Sequence, residues 1–331
     1  MSSKNKVVLI SSCALLTLLL CPFIGMVFIS PFKMTVESSQ FTILFSLRIP
    51  RAITGFLCGG ALALCGMVFQ AIFRNPLAEP FTLGIASGAS CGAAISILSG
   101  LTVLLPGFPV ISIGAFAGAC LAMALVAGFS RFSDRSNSYT MLLSGVAASF
   151  LFSSLLMFVQ YISNLRDSFH IVRWLMGGLE VYGYSQVLSL FLITILCGTA
   201  IFGKLTEIDH FITGDDIAQS RGVDVKKTRN FLLWACTIMV AAVVANCGPI
   251  GFVGLIIPYF SRRFFILKHK IIAPVSFLLG GTFLLICDTV SRTILGSVEI
   301  PVGVITALFG APFFLWILLG GKNSLRRGIF H

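Results

Sequence analysis

The chain has 331 residues, 57% of them hydrophobic and only 11% charged, and its mean hydropathy is +0.99. Soluble domains carry about 25% charged residues, so this composition excludes a large soluble core and points to an all-α polytopic membrane protein. The net charge of +11 is spread over short loops, not gathered on an aromatic-interleaved face, which argues for contact with membrane lipid and against nucleic acid.

A span needs about 20 predominantly apolar residues, and such runs predict about ten transmembrane helices. They fall at 7–29, 50–72, 84–105, 109–129, 138–161, 187–203, 230–247, 251–266, 271–290 and 302–320. The first follows Lys4 and Lys6 but outruns the roughly 7–15 residues of a signal-peptide core, so it reads as a span and not a leader. The eighth holds Gly251, Gly254 and Pro258 and is expected to be short or broken. With the N-terminus inside, only Lys33, Arg48, Arg51, Arg166, Arg173 and Arg292 of the 23 basic residues fall outside. That asymmetry predicts both termini cytoplasmic. Glycines at four-residue spacing, Gly55/Gly59, Gly84/Gly88/Gly92 and Gly114/Gly118, predict closely packed helices. The ten cysteines lie in or beside apolar runs, without the spacing of a zinc site, and read as small packing residues.

Four stretches break the apolar pattern. Leu47-Arg48-Ile49-Pro50-Arg51, on the outside, places two arginines around a proline at the mouth of a span. They serve either as interfacial anchors or as a docking site for an acidic partner. RNPLAEPFTLG, residues 74–84, puts charge and two prolines between spans on the inside and predicts a rigid turn. There Arg74 fits the inside charge bias and Glu79 has a basic neighbourhood to answer.

The longest polar segment is 205–229, also inside. Thr213 or Asp215 can cap a short helix through Ile217, Ala218 and Ser220, with Gly222 as its stop. Asp224 then opens a second short helix ending in Lys226, Lys227 and Arg229. So long a connection reads as a partner-binding element. The fourth stretch, 248–301, places Asp288 and Arg292 four apart, where one helix would pair them.

No phosphate-binding loop, HExxH or set of intramembrane carboxylates is present. His170, His210, His269 and His331 fall in loops or at the terminus and read as solvated residues, not ligands. Neither a catalytic constellation nor a metal site is expected, so the chain is not expected to be an enzyme. If it moves a solute actively, the energy comes from a separate ATPase docked on 205–229. The alternative is a stand-alone secondary transporter driven by an ion gradient, which the missing carboxylates oppose.

The chain closely resembles permease subunits of the FecCD family, which serve binding-protein-dependent ABC importers of iron–siderophores, haem and cobalamin. The matching blocks run in order from about residue 47 to 319. They are LRIPRAITGFLCGGALALCGMVFQAIFRNPLAEPFTLGIASGA, RWLMGGLEVYGYSQV, GDDIAQSRGVDVKKTR, GPIGFVGLIIPYFSRR and CDTVSRTILGSVEIPVGVITALFGAPFFLWILL.

The resemblance implies a single permease domain over 1–331 with the vitamin B12/iron-chelate importer fold, in the bacterial cytoplasmic (inner) membrane. It implies a second permease subunit, identical or paralogous, two cytoplasmic ATPases that bind ATP and Mg, and an extracytoplasmic substrate-binding protein. The implied cargo is a metal chelate, ferric siderophore or haem foremost, moved by alternating access. Residue by residue, Arg48, Arg51 and Arg292 match positions that receive acidic side chains of the binding protein. Asp215, Asp216, Ala218, Ser220, Arg221, Gly222 and Val223 match the ATPase-coupling segment. Asn75 and Leu77 match a cytoplasmic gate, and Ser138 and Tyr139 a second constriction. Tyr259 stands where the family commonly has histidine, so no role that depends on a titrating imidazole carries over.

Overall fold

In the computed structural model, residues 3–25, 39–101, 103–105, 108–132, 138–181, 183–265, 268–295 and 298–324 are described. The helices in chain order are α1 (Ser3–Leu20), α2 (Ser39–Thr42), α3 (Ile49–Phe73), α4 (Ile85–Leu98), α5 (Val110–Phe132) and α6 (Ser138–Ile162). They continue with α7 (Leu165–Leu175), α8 (Ser185–Phe202), α9 (Leu205–Thr213), α10 (Asp215–Ser220), α11 (Val225–Cys247), α12 (Val253–Phe264), α13 (His269–Thr293) and α14 (Val302–Ser324). Two short antiparallel strands, β1 (Val103–Leu105) and β2 (Phe108–Pro109), join α4 to α5.

The organising element is α3. It is apolar all round, and Leu62, Leu64, Met67, Val68, Phe69 and Ile72 are all but inaccessible. A helix hydrophobic on every side belongs at the centre of a bundle, and α13, α12, α11, α8 and α9 pack around it. The expected start at residue 50 is too late. A π-helical turn over Ile43–Arg48 links α2 to α3, and the rod is continuous over Gln40–Phe73, 34 residues. The proline at 50 does not break it: the amide it lacks would have served the Ser46 carbonyl one turn back, and that carbonyl accepts instead from the Gly183 amide at 2.9 Å. At 1.5 Å per residue the rod is about 51 Å long against a hydrocarbon core of about 30 Å. The rod therefore exceeds the core by about 20 Å, and Arg48 and Arg51 lie toward its N-terminal end.

Close helix crossings are made where glycine removes the side chain. A Cβ on Gly59 would strike the Gly280 carbonyl, and one on Gly280 the Gly59 carbonyl, so α3 and α13 meet backbone to backbone. Gly88 and Gly92 meet Gly118 and Gly114 in the same way and join α4 to α5. Two expected packing glycines differ: Gly55 borders the Leu179 side chain, and Gly84, at φ +76°, closes a turn.

Among the described residues, seven of the expected spans are helices long and apolar enough to cross a membrane. Of the other three, α4 has 14 residues and α12 has 12, while α14 has 23 and is apolar over Val302–Trp316. The broken eighth span is thus present as the short α12, entered through Phe252 at φ +69°.

Two further expectations are corrected. The residues after Asp224 do not form a separate short helix: the Asp224 carboxylate caps α11, accepting from the Lys227 amide at 3.0 Å, and α11 continues unbroken to Cys247. The first part of the long polar segment forms α9, whose Leu205, Ile208 and Phe211 share one buried face. His269 is not solvated. It is 2% exposed and opens α13, with its Nδ1 2.6 Å from Asp209 Oδ1 and its amide 3.0 Å from the same oxygen.

Candidate functional site

Charge is concentrated at the two ends of α3. At its N-terminal end, Asp288 on α13 is fully buried and sits between two arginines. Arg51 donates from Nε to Asp288 Oδ1 at 2.9 Å, and Arg292 Nε lies 3.1 Å from Asp288 Oδ2. The i, i+4 pairing expected of Asp288 and Arg292 is present. Arg51 also reaches Glu299 Oε2 through Nη1 at 2.8 Å.

Arg48 and Arg292 both donate to the turn that ends α1. Arg48 Nη1 lies 3.3 Å from the Pro22 carbonyl and 3.4 Å from that of Phe23, and Arg292 Nη1 lies 3.3 Å from that of Ile24. Cations are favoured at a helix C-terminus, where carbonyls lack intrahelical partners. The fold therefore brings Arg48, Arg51 and Arg292 into one cluster, with Arg292 5% exposed and Arg51 held by two carboxylates. Asp288 and Glu299, 237 and 248 residues from Arg51, are the members that sequence reading did not attach to it.

Beside this cluster is a cavity of about 1290 Å³ between α7, the end of α11 and the segment before α14. Arg51, Arg166, His170, Glu180, Asn246 and Glu299 are among its walls. The amphipathic α7 was not expected from the sequence. Asn164 caps it, accepting from the Asp167 amide at 2.8 Å, and Ile171 is its buried residue.

At the other end, α3 stops at Arg74, which adopts a left-handed conformation at φ 49°. The Asn75 side chain then accepts from the Leu77 amide at 3.0 Å, closing an Asx turn. Thr82 donates to the Glu79 carbonyl at 2.7 Å, and Pro80–Leu83 form one 3-10 turn that ends at Gly84. RNPLAEPFTLG is thus a rigid turn, with Asn75 and Leu77 half-exposed on it. Glu79 finds no basic partner among the described residues, and burial pushes its carboxyl up to about 7. Tyr139, at the start of α6, is 74% exposed, while the side chain of Ser138 lies outside the described residues.

The polar segment 205–229 lies at this same end. Neither Thr213 nor Asp215 caps α10: the cap position is Gly214, at φ 121° and ψ 151°. The Asp215 carboxylate turns instead to two arginines, with Oδ1 3.1 Å from Arg74 Nη2 and Oδ2 2.6 Å from Arg229 Nη2. Gly222, at φ 83°, terminates α10 as expected. Asp216, Ile217, Ser220, Arg221 and Gly222 are exposed, Val223 is half-buried, and Ala218 is the buried foot of this knuckle. Arg221 Nη1 lies 3.1 Å from His210 Nδ1.

The Asp209–His269 pair ties α9 to the start of α13. Burial alone would raise the Asp209 carboxyl, but the hydrogen bonds from His269 outweigh it and hold that group below the usual carboxylate range. Tyr259, at the family's histidine position, stacks edge-on against Phe313 of α14, with ring centroids 6.3 Å apart.

Long apolar helices around a buried central rod, with the polar machinery at the rod's two ends, define a multi-pass protein of the cytoplasmic membrane. The chain belongs to the FecCD transport family, which matches residues 13–320, and it is a permease subunit of an ABC importer. An uncharacterized ABC transporter permease, YvrB of Bacillus subtilis, is 39% identical over 85% of this chain and 81% of its own. The cobalamin import system permease BtuC of Halobacterium salinarum is 35% identical over 90% of this chain and 79% of its own. The vitamin B12 import system permease BtuC of Klebsiella pneumoniae is 34% identical over 93% and 92%. A solved structure described as an inward-facing conformation of a metal-chelate type ABC transporter superposes with a TM-score of 0.85 at 30% identity, covering 96% of this chain and 99% of that one.

Proposed function

We propose that the chain carries a metal chelate across the membrane by alternating access, powered by ATP bound with Mg on two separate ATPase subunits. A second permease, identical or paralogous, completes the pathway, and an extracytoplasmic binding protein delivers the cargo. The α3 N-terminal end faces outward, where Arg48, Arg51 and Arg292 receive acidic side chains of the binding protein. The opposite end faces the cytoplasm. There Asp215 to Val223 seat in the ATPase, and Asn75, Leu77, Ser138 and Tyr139 narrow the pathway. The single observation that carries this reading is the fit to the metal-chelate type transporter along 96% of the chain.

The cargo favoured by the sequence resemblance is ferric siderophore or haem. Cobalamin is a second reading, because the relatives above whose names state a cargo are cobalamin permeases. Purifying the intact complex and identifying its chains and bound chelate tests both. Copurifying ATPase and binding protein with an iron chelate are expected, and a bound corrinoid would replace the first cargo with the second. A chain that purifies and transports without any ATPase would overturn the function itself.

A further inference from the structure

The coupling knuckle and the gate turn are separate in sequence, 141 residues apart, yet one carboxylate joins them. Asp215 gives one oxygen to Arg74 and the other to Arg229. The two bonds differ. Arg229 is 5% exposed at its side chain, its guanidinium lies 5.9 Å from the Phe211 ring centroid, and its bond to Asp215 is the shorter, at 2.6 Å. Arg74 is 34% exposed and its bond is 3.1 Å. The Arg229 contact is therefore the fixed anchor of α10 on α11, and the Arg74 contact is the one that can open.

Arg74 is also the residue that turns the chain out of α3. A non-glycine residue at φ 49° holds that conformation only when its surroundings fix it. Its amide donates to the Ala71 carbonyl at 3.3 Å, which holds the backbone locally, and its guanidinium is left to reach the coupling segment. Gly214 is in a backbone region open essentially to glycine, and the Arg74 guanidinium lies beside it, just ahead of Asp215.

We propose that the Arg74–Asp215–Arg229 bridge is the link through which movement of α10 reaches the Asn75–Leu77 gate, with Asp215 and Arg74 as positioning residues. The inference rests on the coupling and gate roles given under Proposed function and adds the connection between them. With the bridge closed, the gate turn follows α10. With its Arg74 arm open, the turn is released from the knuckle. Coupling of this kind is reciprocal, so cargo moving the gate also biases α10.

The test is made on the full complex in proteoliposomes, with uptake and ATP hydrolysis measured together and a spin label on Leu77 reporting the gate. Two variants, Arg74→Gln and Asp215→Asn, open the bridge from either side, and Asp215→Glu keeps its charge. Cargo moved per ATP is expected to fall roughly tenfold in both opening variants. The nucleotide-dependent shift of the Leu77 label is expected to shrink, and Asp215→Glu to recover most of both. Arg74→Gln leaves the buried Arg229 paired, so it remains informative if Asp215→Asn fails to assemble. A transport-to-hydrolysis ratio within about twofold of the parent in Arg74→Gln overturns the bridge. If the unaltered chain shows no ATP-dependent label movement, the coupling reading itself has failed, and the two failures are thereby separated.

Discussion

At the scale of single residues, the outer cluster is governed by a buried carboxylate. Asp288 is inaccessible and neutralises parts of both Arg51 and Arg292. Removing one partner of a buried pair costs roughly 3–5 kcal/mol, because the other charge is left in a low-dielectric site. Asp288→Asn should therefore lower the thermal unfolding temperature of the detergent-solubilised chain well beyond the change from a surface substitution, and an unchanged midpoint would contradict the pairing.

Glu299 plays the opposite part. It is 48% exposed, and it occupies the Arg51 nitrogen that an incoming acidic side chain would use. An exposed pair is worth about 0.2–1 kcal/mol, so Glu299→Gln should tighten binding-protein affinity by up to about fivefold. Arg51→Glu should weaken it while the chain still inserts. A binding titration against the complex reads both, and equal affinities for parent and Arg51→Glu would remove Arg51 from the docking surface.

Glu79 gives the turn after α3 a pH dependence. Its carboxyl titrates at about 7 in the folded chain, above the ordinary value of about 4.3. A raised folded value means that its contribution is full below the unfolded value and is lost as pH rises through about 7. Glu79→Gln should thus raise the melting temperature more at pH 8 than at pH 5. An equal gain at both would show that the burial of Glu79 does not set its titration.

At the scale of elements, what could be read in advance divides along the range of the interaction. Gly222 as a stop, Asp224 as a cap and α12 as a broken span all rest on local chemistry, and each stands in the structure. The role of Asp215 could not be read locally. A carboxylate at the start of a helix looks like a cap, and only the fold brings Arg74 to it. The amphipathic spacing of Leu205, Ile208 and Phe211 was a visible signal for α9, masked by the charged residues around it. His269 resembled a loop histidine because its partner, Asp209, lies 60 residues away.

Helix crossings were foreseeable as spacing but not as pairing. Gly59 finds its counterpart in Gly280, which no four-residue pattern in α3 reveals. Gly59→Leu forces a side chain into the Gly280 backbone, and overpacking of this kind costs roughly 1–3 kcal/mol or more. The variant should express poorly or melt early in detergent, whereas a leucine at Gly128, which has no heavy atom within 4 Å of its Cβ position, should be tolerated.

At the scale of the whole molecule, a single buried rod joins two charged ends, one an arginine–carboxylate cluster and one built around an exposed knuckle. Under the proposed function the energy comes from a separate ATPase seated at the α10 end. Uptake of a radiolabelled metal chelate into proteoliposomes holding the permease, ATPase and binding protein, with ionophores collapsing every ion gradient, tests this most directly. The account predicts that uptake persists without gradients and stops when ATP or the ATPase is withheld. Uptake that continues without the ATPase and ceases when the ionophores are added would contradict it.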